Sequence, residues 1–252
     1  MKYLLIPASL LLILLLSAPL KPAAQELQLQ YDARHTLDPA HTTNNFPSLY
    51  FQYFKPAQDS SRNFIKLGSF LMKTETDLEG DQHNIGKSYI QVSQSFRTWQ
   101  PKVYLSLEYS GGLGVTDPVQ YSYYIVNNYS VGAELPFHSK ATWFDAQLYY
   151  KYAAYPKPSN DFLYTFYWWK GLFHYRVELA GDFSIWTENK NHGDEETGGM
   201  AGKRFFFFAE PQVWYKLNKT LAVGSRINMY YNINIPNNVY QCYPTIGVRW
   251  KL

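Results

Sequence analysis

The stretch FHYRVELAGDFSIW, Phe173 to Trp186, decides how the rest of the chain is read. Phe173, Tyr175, Val177, Leu179, Gly181, Phe183 and Ile185 fall on one parity, and His174, Arg176, Glu178, Ala180, Asp182 and Ser184 on the other. A repeat of two is the mark of a β-strand, whose successive side chains point to opposite faces. Soluble strands run about five or six residues, whereas a tilted strand crossing a bilayer needs about nine to eleven. The pattern predicts a strand over 172–186, long enough to span, with its apolar parity toward lipid and its charged parity toward a lumen.

The same pattern recurs along the chain. Period-two segments bounded by Gly, Pro, Asn and Asp clusters occur at 26–33, 47–54, 63–73, 87–98, 102–111, 120–134, 141–153, 161–169, 172–186, 204–216, 220–232 and 241–251. In 102–111, Val103, Leu105, Leu107 and Tyr109 oppose Tyr104, Ser106, Glu108 and Ser110. In 220–232, Leu221, Val223, Ile227, Met229 and Tyr231 oppose Ala222, Gly224, Arg226, Asn228 and Tyr230. Linkers alternate between mostly long, polar ones and mostly short ones, the asymmetry expected between the outer and periplasmic rims of an outer-membrane barrel. The predicted fold is all-β: a transmembrane antiparallel β-barrel of about twelve strands.

Composition agrees. With 23 Tyr, 16 Phe and 7 Trp the chain is 18% aromatic, yet its mean hydropathy is −0.34. Alternation produces that mixture, while a block-like buried core does not. Trp99, Tyr121, Trp168, Trp169, Trp186, Trp214 and Trp250 lie near strand ends and are read as interfacial girdles.

Residues 1–24 read as a signal peptide. Lys2 is the positive n-region, Leu10–Leu16 the apolar h-region and SAPLKPAAQ the small-residue cleavage zone; residues 25–252 form the barrel domain. Cleavage takes away Lys2 and Lys21 and no acids, leaving 21 Lys+Arg against 20 Asp+Glu. No basic face therefore argues for nucleic acid. A single cysteine, Cys242, excludes an internal disulfide.

Enzyme motifs are sparse: there is no Gly-x-Ser-x-Gly, no phosphate-cradling Gly-rich loop and no His-Glu-x-x-His. The NHGDEE stretch at 191–196 reads as a solvated acidic loop, so no metal site and no cofactor are expected. Parity places Lys66, Tyr104, Glu108, Tyr124, Asp145, Tyr149, Lys151, His174, Arg176, Glu178, Asp182, Glu210, Arg226, Tyr230, Arg249 and Lys251 toward the lumen, as candidates for a solute path. Arg176, Arg226 and Arg249 come from three of the last four strands and are expected to approach one another. Charges inside a narrow barrel either pair as structural ladders or line a wet passage. Tyrosines among them suit a planar polar ligand such as a nucleoside or a sugar.

The stretches SLYFQYFK (48–55), FIKLGSFLMK (64–73), IVNNYSVGAELPF (125–137) and the terminal GVRWKL resemble the nucleoside-specific, Tsx-like outer-membrane channels and the related Bacteroidetes barrels grouped as domain of unknown function 5020. The resemblance implies a narrow monomeric barrel in the outer membrane of a Gram-negative bacterium, surrounded by lipid and lipopolysaccharide. Its implied function is diffusion of a small polar solute, nucleosides first. Two alternatives are a closed structural barrel and an outer-membrane lipid-modifying enzyme. The His-x-Ser-Asn-Gly arrangement of the outer-membrane phospholipases is missing from the chain.

Overall fold

A computed structural model describes residues 24–57, 64–80, 84–99, 102–116, 121–155, 157–233 and 238–252. The expected signal segment lies, up to residue 23, outside the described residues. The strands are β1 (Ala24–Asp32), β2 (Phe46–Lys55), β3 (Lys66–Asp77), β4 (Lys87–Arg97), β5 (Tyr104–Val115), β6 (Ser122–Ser139), β7 (Thr142–Ala153), β8 (Ser159–Leu172), β9 (Val177–Asn189), β10 (Lys203–Ala209), β11 (Gln212–Lys216), β12 (Leu221–Tyr231) and β13 (Tyr240–Lys251). A short helix, α1 (Arg34–Leu37), follows β1. All pairings are antiparallel between neighbours, and β13 pairs with β1, so the sheet closes on itself. Closure leaves no sheet edge to satisfy.

β10 and β11 share one strand position, giving a barrel of twelve. Both pair with β9 and with β12, and two residues on each strand lie between the pairs Ala209↔Phe183 and Gln212↔Ala180, so the register runs through. The interruption falls at Glu210–Pro211, because proline has no N–H to give the ladder. Opposite it stands Gly181, with φ +156°. A Cβ there would lie 2.7 Å from the Glu210 carbonyl oxygen and 2.6 Å from the Trp168 ring, so only glycine fits.

Facing follows the alternation. Ser106 and Glu134 are buried while Leu107, Val131 and Leu148 are exposed, the reverse of a water-soluble protein. The exterior carries an aromatic ladder: Phe137 stacks on Phe144 at 5.1 Å, and Phe166 contacts Phe144 and Phe183 at 5.6 Å each. Trp250 joins that surface. Other expected girdle residues do not. Trp214 is wholly buried in the lumen, and Trp186 stacks there on the buried Phe206 at 5.4 Å.

The opening stretch is not one strand. β8 runs to Leu172, Phe173–Arg176 turn, and β9 begins at Val177. Phe173, His174 and Tyr175 have φ of 50°, 56° and 63°, a left-handed run without glycine, and Arg176 N–H closes the turn on the Phe173 carbonyl at 3.2 Å. Aromatic residues at the exposed tip continue the apolar parity by coincidence, which is why alternation does not reveal the turn. His174 and Arg176 are consequently exposed at a rim and do not face the lumen.

Two bulges reset the parity elsewhere. In β3 the two residues Gly68 and Ser69 oppose one on β4. In β6 Ile125 is the extra residue between the pairs Gly112↔Val126 and Leu113↔Tyr124. A bulge swaps faces for everything beyond it, so Tyr124 points outward and packs on Tyr155 at 5.0 Å. That corrects its expected place in the lumen.

Candidate functional site: the charged lumen

At mid-height the lumen is crossed by ion pairs. Lys73 on β3 reaches Asp182 on β9 at 3.3 Å and Glu210 at 3.0 Å. Arg226 on β12 binds Glu210 at 3.1 Å and also Glu75 on β3. Because β3 and β9 stand on opposite sides of the closed sheet, these bonds span the bore. Tyr50 packs between the two cations, with Lys73 5.7 Å and Arg226 5.4 Å from its ring. A second crossing joins β4 to β5 and β8: the Gln91 amide donates to Glu108 at 2.8 Å and to the Tyr167 hydroxyl at 3.3 Å.

Toward the long-loop end the lumen opens into a cavity of about 260 Å³. Tyr50, Tyr89, Trp186, Phe208 and Tyr230 supply its aromatic wall, and Lys73, Glu75, Asp77, Lys87, Glu108, Lys151, Asp182 and Glu210 its charges. Lys151 binds Glu188 at 2.6 Å and lies 5.3 Å from the Trp186 ring, whose N–H donates to the same carboxylate at 2.9 Å. Above the cavity the segment after β1 folds inward. Arg34 is buried, bound to Asp32 at 2.8 Å, and stacked over Phe46 at 4.6 Å and Tyr243 at 5.2 Å. Asp38 accepts from the Tyr243 hydroxyl at 3.0 Å and pairs with His41 at 2.8 Å, and the His41 bond is the main cause that holds its carboxyl below the ordinary value.

At the short-turn end a separate cluster gathers on Glu178. Lys216 lies at 2.6 Å, Lys251 at 2.8 Å, and Arg249 shares the same carboxylate while stacking 4.8 Å from the Trp214 ring. Arg226 and Arg249 therefore belong to different clusters, and Arg176 to neither, against the expected meeting of the three. Lys66 pairs across from Arg97 at this end, and the buried Tyr104 ring lies under the Arg97 guanidinium at 5.1 Å. Between the two levels Ser69 donates to Glu134 at 2.5 Å, Gln147 to Asp145 at 3.0 Å, and Tyr149 meets Ser106 at 2.9 Å and Gln147 at 3.1 Å.

Of the sequence candidates, Tyr104, Glu108, Asp145, Tyr149, Lys151, Glu178, Asp182, Glu210, Arg226, Tyr230 and Arg249 face the lumen. Parity missed Lys73, on the far side of the β3 bulge, and Glu75 fell in the linker expected after residue 73, whereas β3 runs on to Asp77. The signal was present in Gly68-Ser69, since a glycine inside a strand pattern marks a bulge. Trp214 and Trp186 were missed because tryptophan near a strand end suggests an interface. The NHGDEE loop is held by its own turn, with Thr197 donating twice to Asp194 at 2.6 and 2.7 Å, and no metal-ligating cluster occurs among the described residues.

A polar, ion-bridged interior inside a closed apolar wall is the architecture of outer-membrane barrels. The family model described as Domain of unknown function (DUF5020) matches residues 24–252. The chain belongs to the DUF5020 family. Among solved structures this DUF5020 barrel is similar to the NanC porin, at TM-score 0.53 and 12% identity over 91% of this chain and 100% of that one. It also matches the KdgM porin, at TM-score 0.45 and 8% identity over 90% and 99% of the two chains. A third match is LpxR from Salmonella typhimurium, at TM-score 0.40 and 9% identity over 90% and 100%. The NanC likeness shows a shared barrel fold. Comparison with curated protein sequences returned no match.

Proposed function

We propose that this DUF5020 barrel sits as a monomer in the outer membrane of a Gram-negative bacterium, embedded in lipid and lipopolysaccharide, and passes a small polar solute by diffusion. The observation that carries the reading is the inside-out distribution of side chains: charged and hydroxyl groups fill the bore while Leu107, Val131, Leu148 and Ile246 face outward. The aromatic and polar cavity above the central ion pairs supports a ligand with a planar part and several hydrogen-bonding groups. Nucleosides are the first class to test.

A second reading, a closed structural barrel, is favoured by one observation. The Lys73–Glu210–Arg226–Glu75 bridge crosses the bore at its waist. Both readings meet in one assay. Liposomes carrying the refolded mature protein are compared for uptake of nucleosides, sugars and amino acids, with Trp186→Ala plus Tyr230→Ala as the variant. Saturable nucleoside flux, weakened by that variant, supports the selective channel. Absence of flux for every solute through a folded barrel sinks it in favour of the closed form.

A further inference from the structure

We infer that the outer cavity is a site for a compact cation carrying N–H donors, of the alkylammonium kind, and that Glu108 sets its charge preference. The inference rests on the channel reading above and adds a charged solute class for the same cavity beside the nucleosides tested there.

The argument begins with charge. Lys87 and Lys151 on the cavity wall are already countered by Glu79 at 2.7 Å and Glu188 at 2.6 Å. Lys73 and Arg226 are shared among three carboxylates, those of Glu75, Asp182 and Glu210. Two further acids line the same cavity and form no ion pair among the described residues: Asp77 and Glu108. Glu108 is 6% exposed and is held by the Gln91 amide, and the nearby Lys73 and Lys151 are bound to other carboxylates, so its charge is neither hydrated as on a surface nor matched by a cation of its own. Such a carboxylate is costly in a narrow bore and is relieved by a proton or by a counter-charge, and a permeant cation supplies the second.

A second observation, independent of the acids, points the same way. Ser130 on β6 pairs across from Glu108 on one side and from Lys151 on the other; the residue is 6% exposed and its hydroxyl is left without a partner. Buried polar atoms in native proteins find partners. Hydroxyl and carboxylate together offer acceptor sites beyond the one that the Gln91 amide fills. The aromatic wall suits an ammonium group as well. The protein's own Lys73 and Lys151 already rest on Tyr50 and Trp186 at 5.7 and 5.3 Å, the geometry in which ring faces hold cations.

The test is the reversal potential of the full mature protein in a planar bilayer under a tenfold KCl gradient, followed by replacement of K⁺ with ethylammonium. The expected result is a several-fold preference for K⁺ over Cl⁻, passage of ethylammonium, and a fall in the preference by about twofold or more in Glu108→Gln, which keeps the acceptor for Gln91. Asp194→Asn, in the exposed loop, leaves the ratio unchanged. A ratio of one, an anion preference, or a cation preference unmoved by Glu108→Gln overturns the inference while current still upholds the channel. A folded barrel that carries no current overturns both.

Discussion

The two ion clusters of the lumen use the same residue types to different ends. At the waist, Lys73, Asp182, Glu210, Arg226 and Glu75 join β3 to β9, β12 and the segment between β10 and β11, so their bonds cross the bore. At the short-turn end, Glu178 collects Lys216, Arg249 and Lys251, and two of its cations are partly solvated, with side-chain exposures of 25% and 35%. At the waist every member but Glu75 is buried and there is no spare cation; the lower cluster has two partly solvated lysines and three cations on one buried acid. Identical chemistry therefore sets the bore in one place and braces the wall in the other. What separates the two is water and the number of partners each charge retains after a loss.

That contrast breaks most sharply at Arg226. Arg226→Ala strands Glu75 and leaves Glu210 with Lys73 alone, and removing one partner of a buried pair costs about 3–5 kcal/mol. Equilibrium unfolding in urea of the barrel folded into lipid vesicles is the measurement, and a loss below about 1 kcal/mol would show that the waist is hydrated like the lower cluster. The next effect concerns the wall itself. Leu107→Arg, on the exterior of β5, is expected to cost about 2–4 kcal/mol in the same assay, and parent-like folding of that variant would mean that this face does not meet lipid. Smallest is Lys216→Ala. Glu178 keeps Arg249 and Lys251, so the change is expected within about 1 kcal/mol and to shrink further in high salt; a loss matching that of Arg226→Ala would erase the distinction between the clusters.

Much of the fold was legible because a barrel wall has two solvents. Lipid outside and a polar bore inside impose a repeat of two on every strand, and Leu107 beside Glu108 or Leu148 beside Tyr149 reads directly as facing. The turn at 173–176 was illegible because Phe173 and Tyr175 extend the repeat past the strand ends. Tyr124 was misplaced by a single residue, Ile125, which is unpaired in β6 and reverses the face of what precedes it. Lys73 was lost to the same effect at Gly68-Ser69.

By itself the sequence determined the class of fold, the approximate number and length of strands, and the inward face of Glu108, Asp145, Glu178, Arg226 and Arg249, since each depends only on residues a few positions apart. Which charge meets which across the bore was decided by tertiary structure alone. Lys73 and Glu210 are 137 residues apart in the chain, and their meeting depends on strand count, on two bulges and on the closure of β13 onto β1. Those quantities accumulate around the whole sheet, so a local pattern carries no record of them.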